Sequence, residues 1–234
     1  MPTESEARVK EVIQRTYNVK SVRLNLNSEI DFQAGQFLSV TLKTNPELKR
    51  YLSISNSPTE KGYLEFTKKL TQSDFSGVLD NLKPGDIVKL QYPFGKFTLR
   101  DDYKKIAFLS GGIGITPIRS ISKFVVDKRL GMDIALIYAN RTINDIVFRD
   151  DFEAMRKVYP KLKVVHVLSE ATPGFNSLAG RIDSSIVKQE IPDYAERKFY
   201  LCGPPAMVEA MKKILTEKLA LPKESIVTEN FQGY

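Results

Sequence analysis

The pattern of apolar and polar positions changes rhythm near the middle of the chain. Up to about residue 100, short β-like runs at 19–26, 36–42, 63–69, 87–92 and 97–99 are separated by turn chemistry. Lys83-Pro84-Gly85-Asp86 is one such turn, because proline presets one backbone angle and glycine accepts the positive one. An antiparallel β-barrel or sandwich is implied. After Arg100-Asp101-Asp102-Tyr103, apolar strands alternate with helices, the signature of a doubly wound parallel sheet. Strands are expected at 106–110, 134–139, 163–168, 199–202 and 225–231. Between them, Ile118, Ile121 and Val125 mark a helix over 116–130, Phe148, Phe152, Met155 and Tyr159 one over 145–158, and Val208, Met211, Leu215 and Leu219 one over 205–219. The polar tetrad divides the chain into two domains, 1–102 and 103–234.

Composition removes several classes of protein. With 42% hydrophobic and 27% charged residues the chain is neither disordered nor fibrous. The longest apolar run, 134–139, is far short of the roughly 18 residues that cross a bilayer, and the first ten residues lack a secretory segment, so a cytoplasmic protein is expected. The lone Cys202 excludes an intramolecular disulfide, a cysteine-rich zinc site and an iron–sulfur cluster held by this chain, so redox chemistry requires an organic cofactor. The lone His166 lies in an apolar run and reads as a packed strand histidine, and no metal site is expected. The net charge of +7 suits an anionic cofactor or an acidic partner. No run of five basic residues occurs, which argues against a nucleic-acid module.

Four segments carry candidate chemistry. Leu109-Ser110-Gly111-Gly112-Ile113-Gly114-Ile115-Thr116-Pro117 is a strand that ends in glycines and opens a helix. Such a turn lets backbone approach a pyrophosphate while free amides at the helix start hold its charge. Leu201-Cys202-Gly203-Pro204-Pro205-Ala206-Met207 repeats the arrangement, and two such loops at strand C-termini open onto one crevice. Arg50-Tyr51-Leu52-Ser53-Ile54-Ser55-Asn56 joins a guanidinium able to fork onto a pyrophosphate to hydroxyls able to meet a heterocycle. Asp74-Phe75-Ser76-Gly77 stands where a helix can begin, so Ser76 serves either a phosphate or the helix cap.

Read together, these segments resemble the ferredoxin–NADP reductase family across nearly the whole chain. The resemblance implies a flavin-binding antiparallel barrel followed by a nicotinamide-dinucleotide α/β domain, with FAD and NADP(H) or NAD(H) as cofactors. The family's RxYSxxS motif is met by Arg50, Tyr51, Leu52, Ser53, Ile54, Ser55 and Asn56, with Leu52 in place of the stacking tyrosine and Asn56 in place of the last serine. By the resemblance, Arg50 contacts the flavin pyrophosphate and Ser53 lies at the reactive edge of the ring. Phe66, Thr67 and Lys68, then Ser76 and Gly77, correspond to its second flavin segment. Gly111, Gly112, Gly114, Thr116 and Pro117 match its nicotinamide-side glycine loop, with Thr116 close to the nicotinamide. Cys202, Gly203, Pro204 and Met207 match its other nicotinamide signature, with the cysteine facing the hydride path. A C-terminal aromatic, Phe231 or Tyr234, approaches the flavin in such proteins.

The implied reaction passes a hydride from NAD(P)H to FAD and then single electrons to an acceptor, with Ser53, Cys202 and Thr116 nearest the chemistry. Arg141, after the second strand of the α/β half, comes with no acid in its immediate sequence and leans the choice toward NADPH. An acidic ferredoxin or flavodoxin, or an oxygenase component, suits the basic surplus. Two alternatives stay open: a reductase of free flavin, ferric chelates or quinones, and a non-catalytic subunit that keeps the fold.

Overall fold

The computed structural model describes residues 2–26, 31–42, 44, 46–100, 102–170 and 172–229. Six antiparallel strands form the first sheet: β1 (Thr3–Thr16), β2 (Val19–Leu26), β3 (Phe37–Leu42), β4 (Leu48–Ser53), β5 (Leu64–Lys69) and β6 (Ile87–Phe94). Their spatial order is β4-β3-β6-β1-β2-β5, and an antiparallel bridge between Ile54 and Phe66 joins the two edges into a barrel. Strand alternation fills it: Leu38, Val40 and Leu42 of β3, Leu64 and Phe66 of β5, and Val88 and Leu90 of β6 share one core with Phe75 and Leu79 of helix α1 (Asp74–Asp80). β1 is an element that the sequence pattern does not announce, because its buried positions, Ala7 and Val9, are too few among polar neighbours.

The second sheet is parallel and follows the expected alternation. It contains β7 (Lys105–Gly111), β8 (Asp133–Asn140), β9 (Leu162–Leu168), the short β10 (Leu178–Ala179), β11 (Lys198–Cys202) and β12 (Ile226–Glu229), in the order β10-β9-β8-β7-β11-β12. Helices α2 (Ile115–Lys128) and α3 (Arg149–Val158) cover one face, and α4 (Ser184–Glu190) and α5 (Pro205–Lys213) the other. The chain winds from β7 outward to β10, then returns to lay β11 on the other side of β7. Ligands bind at such a reversal, at the carboxyl ends of the strands. Among the described residues, no helix is long and apolar enough to cross a membrane.

Two details depart from the sequence pattern. Residues 97–99 form no strand; Phe97 instead leaves the barrel and buries in the α/β core, edge-on to Tyr200 at 5.2 Å. α3 starts at Arg149 rather than Asp145 because Phe148 takes a left-handed conformation (φ 60°) that no helix continues.

The two sheets are joined at α2. Arg119, 5% exposed, forks onto both carboxylate oxygens of Glu60 in the barrel half, donates to the Ser55 carbonyl at 3.1 Å and reaches Asp151 of α3 at 2.8 Å. Ser120 donates to the Asn56 carbonyl at 2.7 Å, and Tyr200 to that of Thr98 at 2.9 Å. Burial opposes charge on Glu60, but the hydrogen bonds and charge of Arg119 outweigh it and hold the carboxyl below its usual range. Arg119→Ala should therefore leave a buried carboxylate without its partner. A loss of about 3 kcal/mol in urea unfolding is expected; an unchanged midpoint would show that the contact between halves does not rest on this pair.

Candidate active site

β4 carries the first group of site residues. Register with β3 places Arg50 and Leu52 opposite Val40 and Leu38, on the barrel-core side, and Tyr51 and Ser53 opposite Ser39 and Phe37 on the other. Arg50 lies over the Phe75 ring at 5.6 Å, at the start of α1, and Leu52 packs partly buried against the barrel core. Lys68, only 6% exposed, donates from Nζ to its neighbour's carbonyl at 3.2 Å. Burial first, and the charge of Arg50 second, push its pKa below the usual lysine range. Two cations close enough for one to act on the other, with no ion pair to either among the described residues, fit an anion such as a pyrophosphate. Ser53 is buried and its hydroxyl has no partner, a state that a buried polar atom rarely keeps without a ligand. The residues present therefore fit a flavin dinucleotide.

Other flavin-motif residues are committed to structure. The hydroxyls of Ser55 and Thr67 belong to a closed ring: Ser55 donates to Glu65 Oε1 at 2.9 Å and meets Thr67 Oγ1 at 2.8 Å, which meets Ser21 Oγ at 2.6 Å. Arg15 closes it by donating to Ser21 and to Glu65. Ile54 and Phe66 are fully buried in the barrel. Ser76 bonds with Thr71 and Ser73, and the Ser76 and Gly77 amides donate to Ser73, the N-cap of α1, so both residues are engaged in the first turn of that helix. Asn56, which departs from the family motif, accepts from the Glu65 amide at 2.8 Å and donates to the Tyr63 carbonyl at 3.0 Å. Phe231 and Tyr234 lie outside the described residues.

The second group lines a cavity of about 530 Å³ at the carboxyl ends of the parallel strands. Gly111, Gly112, Pro204 and Met207 form one wall, Asn140, Arg141 and Ser169 another, and Tyr17, Val19 and Lys69 from the barrel half complete it. The glycines differ in purpose. A Cβ on Gly111 would fall 2.1 Å from Met207 Sδ, and one on Gly114 would fall 2.4 Å from the Cys202 carbonyl, so both exist to let the two loops touch. Gly112, with φ +52°, is the one that faces open space. Thr116 is buried and donates to the Ile113 carbonyl at 3.1 Å, and Pro117 follows it in the first turn of α2. Cys202 is fully buried; burial first and Glu229 second push its thiol well up, so it stays protonated.

Two residues at the mouth of the cleft have no signal in the sequence, Glu170 and Tyr17. Arg141 pairs with Glu170 at 2.6 Å, so the acid missing from its own strand comes from the end of β9. Tyr17, at the turn between β1 and β2, donates to Asp145 at 2.8 Å across the cleft mouth. Only pairing of distant strands brings these residues together, and neither has a local signature.

Two cations and an unpartnered hydroxyl on the barrel, together with a glycine-walled cleft at the carboxyl edge of a parallel sheet, fit an oxidoreductase that holds FAD and a nicotinamide dinucleotide. Comparison with known proteins bears this out. Residues 6–99 match the family description "Oxidoreductase FAD-binding domain", and residues 108–213 match "Oxidoreductase NAD-binding domain". The NADH-cytochrome b5 reductase 1 of Aspergillus terreus is 33% identical, over 94% of this chain and 79% of its own. The glycine betaine monooxygenase reductase subunit of Chromohalobacter salexigens is 28% identical over 89% of this chain, which spans 59% of that relative. The crystal structure of the ferredoxin reductase in carbazole 1,9a-dioxygenase superposes with a TM-score of 0.86 at 28% identity, covering 99% of this chain and 70% of the other. The chain belongs to the ferredoxin–NADP reductase-like family of FAD-dependent NAD(P)H reductases.

Two outcomes test the site. Arg50→Ala and Lys68→Ala should each weaken FAD retention about tenfold, read by dialysis against flavin fluorescence; full retention in the double variant would remove the anion site. Burial raises the Glu229 carboxyl from 4.5 to about 7. The folded chain thus binds a proton that the unfolded chain has released, and stability falls as pH rises between those values. Glu229→Gln should lack that fall, with thermal midpoints that separate from wild type as pH rises from 4.5 to about 7, stay apart above it and converge at acid pH.

Proposed function

We propose that this chain draws on a reduced nicotinamide dinucleotide to supply electrons to a separate acceptor protein. The observation that carries this reading is the cleft itself, whose walls come from both halves of the molecule, with Val19 and Lys69 facing Gly112 and Met207. FAD, when bound, supplies the conversion between a two-electron hydride and single electrons. The chain's own residues supply binding, orientation and dryness.

Arg50 and Lys68 would neutralise the flavin pyrophosphate, Leu52 would cover the ring with apolar surface, and the unpartnered Ser53 hydroxyl would bond at its edge. Gly112 and the amides that begin α2 would receive the dinucleotide phosphates. Cys202 and Thr116, both buried and uncharged, would bring no charge and little water to the space beside the two loops. No acid or base is needed for a hydride to move between stacked rings, so the contribution of these residues is proximity and orientation.

The nucleoside end is where the choice of dinucleotide falls. Arg141 alone leans toward NADPH, but its guanidinium pairs with Glu170 at 2.6 Å, and a carboxylate beside Arg141 suits ribose hydroxyls better than a 2′-phosphate. This supports NADH, in keeping with the name of the Aspergillus relative. For the acceptor, the net charge of +7 favours an acidic protein, and the relatives that serve an oxygenase or a cytochrome support a protein over a small molecule.

Anaerobic titration of the yellow protein with NADH, then NADPH, followed at the flavin absorbance, checks the reading. Bleaching by NADH and reoxidation by an acidic ferredoxin or oxygenase component are expected. A colourless protein that takes up no added FAD would refute the activity, and reoxidation by ferric chelate or free flavin alone would move the acceptor to a small molecule. Glu170→Ala, by freeing Arg141, should raise kcat/KM for NADPH severalfold relative to NADH.

A further inference from the structure

The glycine loop ahead of α2 is fastened from below by a residue that none of the motifs contains. Tyr138, on β8, is fully buried, and its hydroxyl donates to the Gly112 carbonyl at 2.9 Å and accepts from the Val147 amide at 3.3 Å. Burial holds this phenol far above its usual pKa, so the donor is permanent. Val147 also lines the cleft, so one hydroxyl ties the Gly112 carbonyl to the segment that leads into α3.

The conformational freedom of the loop is concentrated at this same place. Gly111 and Gly114 are wedged against Met207 and the Cys202 carbonyl, whereas Gly112 is left-handed and faces open space. The peptide between Gly112 and Ile113 is therefore the unit that can turn over with least resistance. In a trans peptide the carbonyl and the N–H point in opposite directions. The Gly112 carbonyl is held inward by Tyr138 and by the Ile115 amide, which leaves the Ile113 N–H directed outward to the cleft. Were that peptide to flip, the loop would present an oxygen to an anion.

We propose that Tyr138 is a positioning residue for the dinucleotide: its hydroxyl locks the Gly112–Ile113 peptide so that an N–H, not a carbonyl, meets the pyrophosphate. The proposal rests on the reading of the cleft as the dinucleotide site. It assigns to β8 a task that is separate from its contribution of Arg141 at the nucleoside end.

The test uses the FAD-loaded protein carrying Tyr138→Phe, which keeps the ring and its packing. KM for NADH should rise about five- to tenfold, with kcat at saturation and FAD content retained. Inhibition by ADP-ribose, which carries the pyrophosphate, should weaken by the same factor, while inhibition by adenosine, which does not, should hold. A general loosening of the cleft would weaken both inhibitors equally and would overturn the proposal, as would a KM that stays at the wild-type value. Gly112→Ala supplies a second arm: if Tyr138 acts through Gly112, the losses in the double variant fall short of their sum, and full additivity counts against the lock. Wild-type protein that oxidises neither NADH nor NADPH would instead sink the reading of the cleft and leave the hydrogen bond without a ligand to serve.

Discussion

A buried guanidinium sets the geometry on which every other feature depends. Arg119 stands on the helix that begins at the glycine loop, and its donors reach Glu60 and Ser55 in the barrel half and Asp151 beside α3. Ser55 directly follows the flavin-motif strand β4, so one side chain spans the distance from dinucleotide loop to flavin strand. A guanidinium is suited to this because its planar fork holds several acceptors at fixed angles, which a lysine cannot do. Desolvating it is costly, and that cost is offset only when the acceptors are in place. The pairing therefore acts as a check on register between halves as much as a source of stability. Phe97 and Tyr200 add apolar contact to the same junction.

The same economy governs the two loops at the sheet's carboxyl edge. Strands β7 and β11 are neighbours, with Cys202 level with Ser110, so the loops that leave them must pass each other at backbone distance. Two of the glycines that look like phosphate cradles are required by that passage, and the third alone is left to meet a ligand. A glycine-rich turn thus combines two demands in three residues, close packing of loop on loop and exposure of amides. The sequence motif cannot separate them, because both are satisfied by the absence of a side chain.

Much of the architecture was legible in the sequence for a physical reason: parallel strands buried on both faces read as unbroken apolar runs, and the helices between them show their stripes. β1 escaped notice because it is largely solvent-facing, and the start of α3 was misplaced because nothing local marks Phe148 as left-handed. At the candidate site, Arg50, Gly112, Cys202 and Met207 stand out in the sequence because chemistry and spacing coincide along the chain. Glu170, Tyr17 and Tyr138 were not singled out, since their roles arise from strand pairing between segments far apart in sequence. Ser55, Thr67 and Ser76 mark the opposite failure: motif positions whose hydroxyls the fold spends on its own hydrogen bonds.

Charge is distributed through the site in a way that suits the chemistry. The cations fall in two places, Arg50 and Lys68 on the barrel and Arg141 and Lys69 at the cleft, and under the proposed function these are the ends at which phosphates would be held. Ser53, Thr116 and Cys202 are buried and uncharged, and the Glu229 carboxyl that acts on the thiol is itself pushed up to about 7 by burial. A charged group in that space would favour one redox state of a neighbouring ring over another and would draw water with it. A hydride crossing between two stacked rings needs neither. Under the proposed function, uncharged buried groups with cations on either side of them would let polyanionic cofactors be held while the space between stays dry.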